Sequence, residues 1–199
     1  MQFKIQGITF RISFSFFAVI LILLTGANSS NLIYILLFSV IHEFGHLAAL
    51  KACKVNVISF TLNLFGAEIK RNDRASTDYF KDAFIAFCGP AANLLLYTAF
   101  RLINLIYPAS VFIIISQINL YIAIFNLLPF SSFDGGLILC ALLSHIFGEN
   151  IGRKIGTLFS YAVCLPFVVL SAAVFIKNNR NIYPALVSLY LLLTLVFKK

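Results

Sequence analysis

The chain has 199 residues, 61% hydrophobic and 11% charged, with a formal net charge of +8. An ordinary soluble domain carries roughly 25% charged residues, and a 22.2 kDa globule cannot hide this much apolar side chain in one core, so lipid must solvate part of it. The basic residues flank apolar runs and form no stripe, which reads as membrane topology and excludes nucleic acid as a partner.

Six apolar stretches read as membrane spans: Phe10–Gly26, Leu32–Lys51, Ala83–Ile103, Ala109–Leu128, Thr157–Ile176 and Ile182–Phe197. Most approach the roughly 20 residues that a helix needs to cross the hydrocarbon core. The first begins after Lys4 and Arg11 and ends near the small residues "GANSS". A second apolar run follows almost at once, so it is read as a retained anchor and not as a cleaved signal. The connection Ala52–Asp82 is the one long hydrophilic segment. In it Ile58, Phe60, Leu62 and Leu64 alternate with Ser59, Thr61 and Asn63, the period of a strand with one apolar face. Gly66 permits a turn and "AEIKR" a returning strand. The stretch Gly135–Phe147 looks too short to cross alone and is read as a helical extension at the interface. The expected architecture is an all-α polytopic membrane protein of about six transmembrane helices, with a small membrane-associated β-hairpin after the second. It forms a single domain over 1–199.

With the N-terminus in the cytoplasm, Lys4, Arg11, Lys51, Lys54, Lys70, Arg71, Arg74, Lys81, Arg153, Lys154, Lys198 and Lys199 fall inside, and Arg101, Lys177 and Arg180 outside. This asymmetry predicts both termini in the cytoplasm of a multi-pass cell-membrane protein. Cys53, Cys88, Cys140 and Cys164 are widely spaced with no CxxC pair, the pattern of free thiols and not of a disulfide frame or thiolate zinc site.

The second span contains "HEFGH". His42 and His46 are four residues apart, about 40° of helical rotation and 6 Å of rise, so both imidazoles share one face and can bind one zinc ion. Glu43 lies about 100° round the helix from His42, placed to act on water as a general base. An unpartnered acid in mid-span is costly, which favours a metal site over two packing histidines. A third ligand is sought on another span. Asp134 in "NLLPFSSFDGG" is the candidate, after a helix break at Pro129 and before Gly135 and Gly136. Alone it reads equally as a ligand or as an N-cap; beside the histidine pair the ligand is preferred. "FCGPAANLL" carries Asn93, whose plain reading is interhelical packing, and Asn126 precedes the break. His145 is placed at the cytoplasmic interface.

Together these stretches resemble the site-2 protease family of intramembrane zinc metalloproteases. Residues 42–46 fit its HExxH, 89–93 its GPxxN and 126–135 its NxxPxxxxDG, over a core of about 32–147. Ser131 and Phe133 stand where the family often has Pro-x-Leu. The arrangement resembles the sporulation-protease branch without its C-terminal regulatory domain. The resemblance implies Zn2+ held by His42, His46 and Asp134, Glu43 as catalytic base, and substrate positioning by Asn126 and Asn93. It implies hydrolysis of a peptide bond in or near a transmembrane segment of a membrane-anchored protein within the bilayer, and allows a regulatory membrane partner. Ile58–Leu64 is expected to hold the substrate as an edge strand. The alternative is a zinc-binding membrane sensor or scaffold without turnover.

Overall fold

The structure is a computed structural model, and it describes residues 2–5, 8–12, 29–55, 57–63, 66–71, 78–177, 188–189, 191–192 and 195. Among the described residues, four strands, β1 (Gln2–Ile5), β2 (Ile8–Ile12), β3 (Val57–Asn63) and β4 (Gly66–Arg71), accompany five long helices. These are α1 (Ser29–Ala52), α2 (Tyr79–Ile106), α3 (Ser110–Asn126), α4 (Asp134–Phe147) and α5 (Glu149–Lys177). Three described helical stretches are long and apolar enough to cross a membrane: Asn31–Ala52, Tyr79–Ile106 and Glu149–Ile176. Ser110–Asn126 and Asp134–Phe147 are shorter apolar helices. The first and last spans expected from sequence, Phe10–Gly26 and Ile182–Phe197, fall largely outside the described residues, and Phe10 to Ile12 belong to β2.

The chain divides into two compact units, Met1–Phe125 and Asn126–Lys199. In the first unit, α1 buries Leu32, Phe38, His42, His46, Ala49 and Leu50 along one stripe while Ile33, Leu37, Val40 and Phe44 lie exposed. Apolar side chains therefore lie on both faces, the outward ones where lipid solvates them, and the polar histidines face other helices. The same holds on α3, where Ser116 and Asn119 are fully buried and Tyr121 and Ile124 are exposed.

The end of α1 is set by a Schellman turn. Val55 N–H bonds to Leu50 C=O at 2.9 Å and Lys54 N–H to Lys51 C=O at 3.1 Å, with Lys54 in the left-handed region at φ 55°. Val55 packs on Leu50 in one buried cluster, the apolar contact that accompanies this motif. Lys51 places a positive charge in the last turn, where the helix dipole favours it. The chain is thereby turned straight into β3.

The strands form one sheet in the order β1-β2-β3-β4. β1 and β2 pair antiparallel, β2 and β3 parallel with Thr9 opposite Ser59, and β3 and β4 antiparallel with Phe60 opposite Ile69. Two expectations are corrected here. The segment expected as a free edge is an inner strand, with β2 on one side and β4 on the other, and the chain carries a strand pair ahead of its first described helix. The reason is visible in "QFKIQGITFRI": Phe3, Ile5, Ile8, Phe10 and Ile12 stand at strand spacing with Lys4, Thr9 and Arg11 between.

α2 opens on Asp78, whose carboxylate accepts from Lys81 N–H at 3.1 Å, a side-chain cap. It stops before Pro108, with Tyr107 N–H bonded back to Ile103 C=O at 2.8 Å. In the second unit, α4 and α5 meet through Gly152 and Gly156. A Cβ on Gly152 would stand 2.6 Å from Ser144 Oγ, and one on Gly156 would collide with Cys140 Sγ. Small residues four apart let two apolar helices approach closely. A core of Phe130, Phe133, Cys164, Leu191 and Leu195 completes this unit.

Candidate metal centre

His42 and His46 project from α1 toward α2. Their Nε2 atoms lie 3.2 Å apart, with ring planes at 82° and centroids at 4.9 Å. Each Nδ1 is engaged from behind. His46 Nδ1 lies 2.8 Å from Ile85 C=O, which can only accept, so this nitrogen carries the proton. His42 Nδ1 lies 2.7 Å from Asn93 Oδ1. Asn93 Nδ2 in turn donates to Phe38 C=O at 3.3 Å and to Asn119 Oδ1 at 2.9 Å, so the Asn93 atom facing His42 is its oxygen, and His42 too is protonated at Nδ1. Both rings therefore present Nε2 lone pairs to one point.

Two lone pairs held 3.2 Å apart repel unless a cation lies between them. Two nitrogens at 2.0–2.1 Å from one tetrahedral zinc stand about 3.3 Å apart, so the pair matches zinc in spacing and in tautomer. A hydrogen-bond acceptor behind each ligating imidazole is the usual support of such a site. Both histidines are buried, at 4% and 7% exposure.

The wall beside the two Nε2 atoms is backbone. A Cβ on Gly89 would stand 2.8 Å from His42 Nε2 and would overlap His46 Nε2. One on Gly45 would lie 2.6 Å from Cys88 C=O. These two glycines let α1 and α2 close on each other at the level of the histidines, next to Pro90 inside α2. Glu43 lies between the two histidines on α1 and is half-buried.

Asn93, expected to touch substrate, has 0% exposure and spends its carboxamide on His42, Phe38 and Asn119. Asn119 was not singled out from sequence. Its signal was an amide inside the apolar run "ISQINLY", on the same helical side as Ser116; both are fully buried.

In the second unit, Asn126 is the last residue of α3 and Asp134 the first of α4. The break between them is tied down locally. Phe130 N–H bonds to Leu128 C=O at 2.7 Å and Phe133 N–H to Phe130 C=O at 2.8 Å. Ser131 N–H donates to Ser160 Oγ at 2.8 Å, and that hydroxyl donates to Gly156 C=O at 3.0 Å. Gly135 and Gly136 lie so close to the carbonyls of Leu127 and Phe130 that a Cβ on either would collide with them. The N-cap of α4 is Phe133, with no side-chain cap bond. Asp134 is thus the first helical residue and not the N-cap that was its other reading, and its carboxylate sits in the first turn, where the helix dipole favours an anion. His145 lies in the last turn of α4 and is exposed.

Residues 103–170 match the model of Peptidase family M50. The Rip3 protein of Mycobacterium tuberculosis is 33% identical over 148 residues, 69% of this chain and 37% of its own length. The zinc metalloprotease MJ0392 of Methanocaldococcus jannaschii is 28% identical over 200 residues, 94% of this chain and 57% of its own length. The chain therefore spans well under two thirds of these relatives. The solved structure of the site-2 protease from Methanocaldococcus jannaschii superposes with a TM-score of 0.70, covering 96% of this chain and 91% of that one at 24% identity, which shows the fold. The match of the M50 model spans the helix break with Asn126 and Asp134, and the HExxH histidines hold zinc-binding geometry outside it: the chain belongs to the site-2 protease family of M50 metallopeptidases.

Proposed function

We propose that the protein is an intramembrane zinc metalloprotease that hydrolyses a peptide bond in or near a transmembrane segment of a membrane-anchored protein. The observation that carries this reading is the histidine pair, with two Nε2 atoms 3.2 Å apart and both Nδ1 atoms bonded to acceptors, next to an acid on the same helix. His42 and His46 of the HExxH motif and Asp134 after the helix break are assigned as the zinc ligands. Zinc, when bound, supplies the Lewis acidity that makes water nucleophilic near neutral pH and polarises a carbonyl.

Glu43 takes the proton that the attacking water loses and passes it to the leaving amine. Asn93 holds His42 in its metal-binding tautomer and orientation. Asn126 donates from its amide to the substrate backbone or to the oxygen that gains charge. The substrate helix must open locally, because a helical peptide bond is closed off by its own hydrogen bonds. The outer side of β4, last in the order of the sheet, suits the extended segment so formed, by strand addition.

The two units are taken as one catalytic domain with about six spans and both termini in the cytoplasm. The parallel pairing of β2 with β3 supports Ile12 and Val57 on one side of the bilayer.

The test compares cells expressing the wild type and Glu43→Gln at equal levels, by mass spectrometry of fragments released from membrane-anchored proteins, with zinc measured in each purified protein. Fragments present only with the wild type, and equal zinc in both, are expected. A fragment pattern that does not depend on Glu43 overturns the protease in favour of a zinc-binding sensor or scaffold.

A further inference from the structure

The polar chain behind the zinc-binding face runs one residue further than the ligand's own partner. It begins at Ile115 C=O, which has no proton to give, so the Asn119 atom 3.0 Å away is Nδ2, donating. That orients Asn119 Oδ1 to accept from Asn93 Nδ2 at 2.9 Å. Asn93 Oδ1 is then the atom that meets His42 Nδ1 at 2.7 Å. If Asn93 turned over, its NH2 group would face His42 Nδ1. The proton of His42 would then move to Nε2, and the lone pair needed for a metal would be gone. Turning over would also set Asn93 Oδ1 against Asn119 Oδ1, two acceptors at hydrogen-bond distance. The bond from Asn93 to Phe38 C=O is longer, at 3.3 Å, and is weaker as a lock.

We propose that Asn119 is a positioning residue for zinc binding: by forcing Asn93 to present its oxygen, it fixes the tautomer and ring orientation of His42. This rests on the zinc reading above. The site's alignment is thus referred to the backbone of α3, a helix that carries Asn126 at its far end and gives no ligand within its own length. The full burial of Asn93 and Asn119 strengthens the coupling, because water cannot replace either partner.

The experiment uses the full chain purified in detergent. Zinc affinity is read by competition with a chromogenic chelator, the site's geometry by the visible absorption of the Co2+-substituted protein, and packing by the Tm of the metal-free protein. Asn119→Leu is expected to weaken zinc about tenfold, the lower end of the 10–100-fold cost of removing an outer partner of a ligating histidine, and to shift the Co2+ bands. Asn119→Asp, which accepts from Asn93 in either protonation state, is expected to stay close to wild type. In an Asn93→Ala background, Asn119→Leu is expected to add no further loss, because its effect passes through Asn93. Asn119→Ala carries the same comparison where Asn119→Leu fails to fold.

Equal losses in the two backgrounds, or a lowered Tm with unchanged zinc affinity, overturn the proposal and leave Asn119 as a packing residue. A wild type that binds no zinc, or whose zinc is unaffected by His42→Ala, instead overturns the metal centre itself, and the proposal with it.

Discussion

At the scale of single residues, the zinc-binding face depends on an atom that is absent. Gly89 brings the α2 backbone against both imidazoles, and an added methyl would occupy the space of His46 Nε2 and stand 2.8 Å from His42 Nε2. Gly89→Ala is therefore expected to lower zinc stoichiometry well below one per chain, measured by atomic absorption after dialysis. Full zinc in that variant would mean that the helices separate at little cost. The histidine spacing was legible in the sequence because helical geometry converts a separation of four into a shared face. Asn93 was legible as a buried amide but not in its role, since a spacing cannot say which neighbour a carboxamide meets. Asn119 was legible as an amide in an apolar run but not in its role, because its importance lies in the direction of a hydrogen bond fixed by Ile115 C=O.

At the scale of elements, the turn after α1 holds Lys54 at φ 55°, a region that costs a residue with a Cβ about 1–2 kcal/mol and glycine nothing. Lys54→Gly is expected to stabilise the protein by about 1 kcal/mol, seen as a raised Tm in detergent; an unchanged or lowered Tm would show that the lysine charge offsets the backbone strain. The sheet sets a second test. Along β4 successive N–H groups alternate between β3 and the open edge, so of Ile69→Pro and Lys70→Pro one removes an outward donor and the other an inter-strand bond. If substrate adds to β4, the variant that loses the outward donor should cleave poorly while keeping its zinc and its Tm. Wild-type cleavage by both would assign the substrate elsewhere. The long helices were legible from apolar length alone. β1 and β2 were hidden because a strand's alternation beside an apolar run reads like the basic flank of a span, and the inner place of β3 depends on that hidden pair.

At the scale of the whole molecule, the distribution of basic residues predicts a cytoplasmic C-terminus. An introduced Lys199→Cys, in a chain whose native cysteines are replaced by serine, should resist a membrane-impermeant maleimide in intact cells and react after lysis. Ready labelling in intact cells would invert the orientation. The outward apolar and inward polar pattern was legible only as composition, since periodicity cannot tell lipid from a protein core. The parallel pairing of β2 with β3 also bears on how the protein is made. Thr9 pairs with Ser59, and Ser59 is synthesised 50 residues later (59 − 9). At about 5–20 residues per second, β2 waits about 2.5–10 s for its neighbour. During that interval α1 emerges, so the β1–β2 ribbon has an open edge while the zinc-binding helix is entering the bilayer. Slow elongation through residues 13–56 would lengthen that exposure, and a chaperone that binds extended chain would find its substrate there.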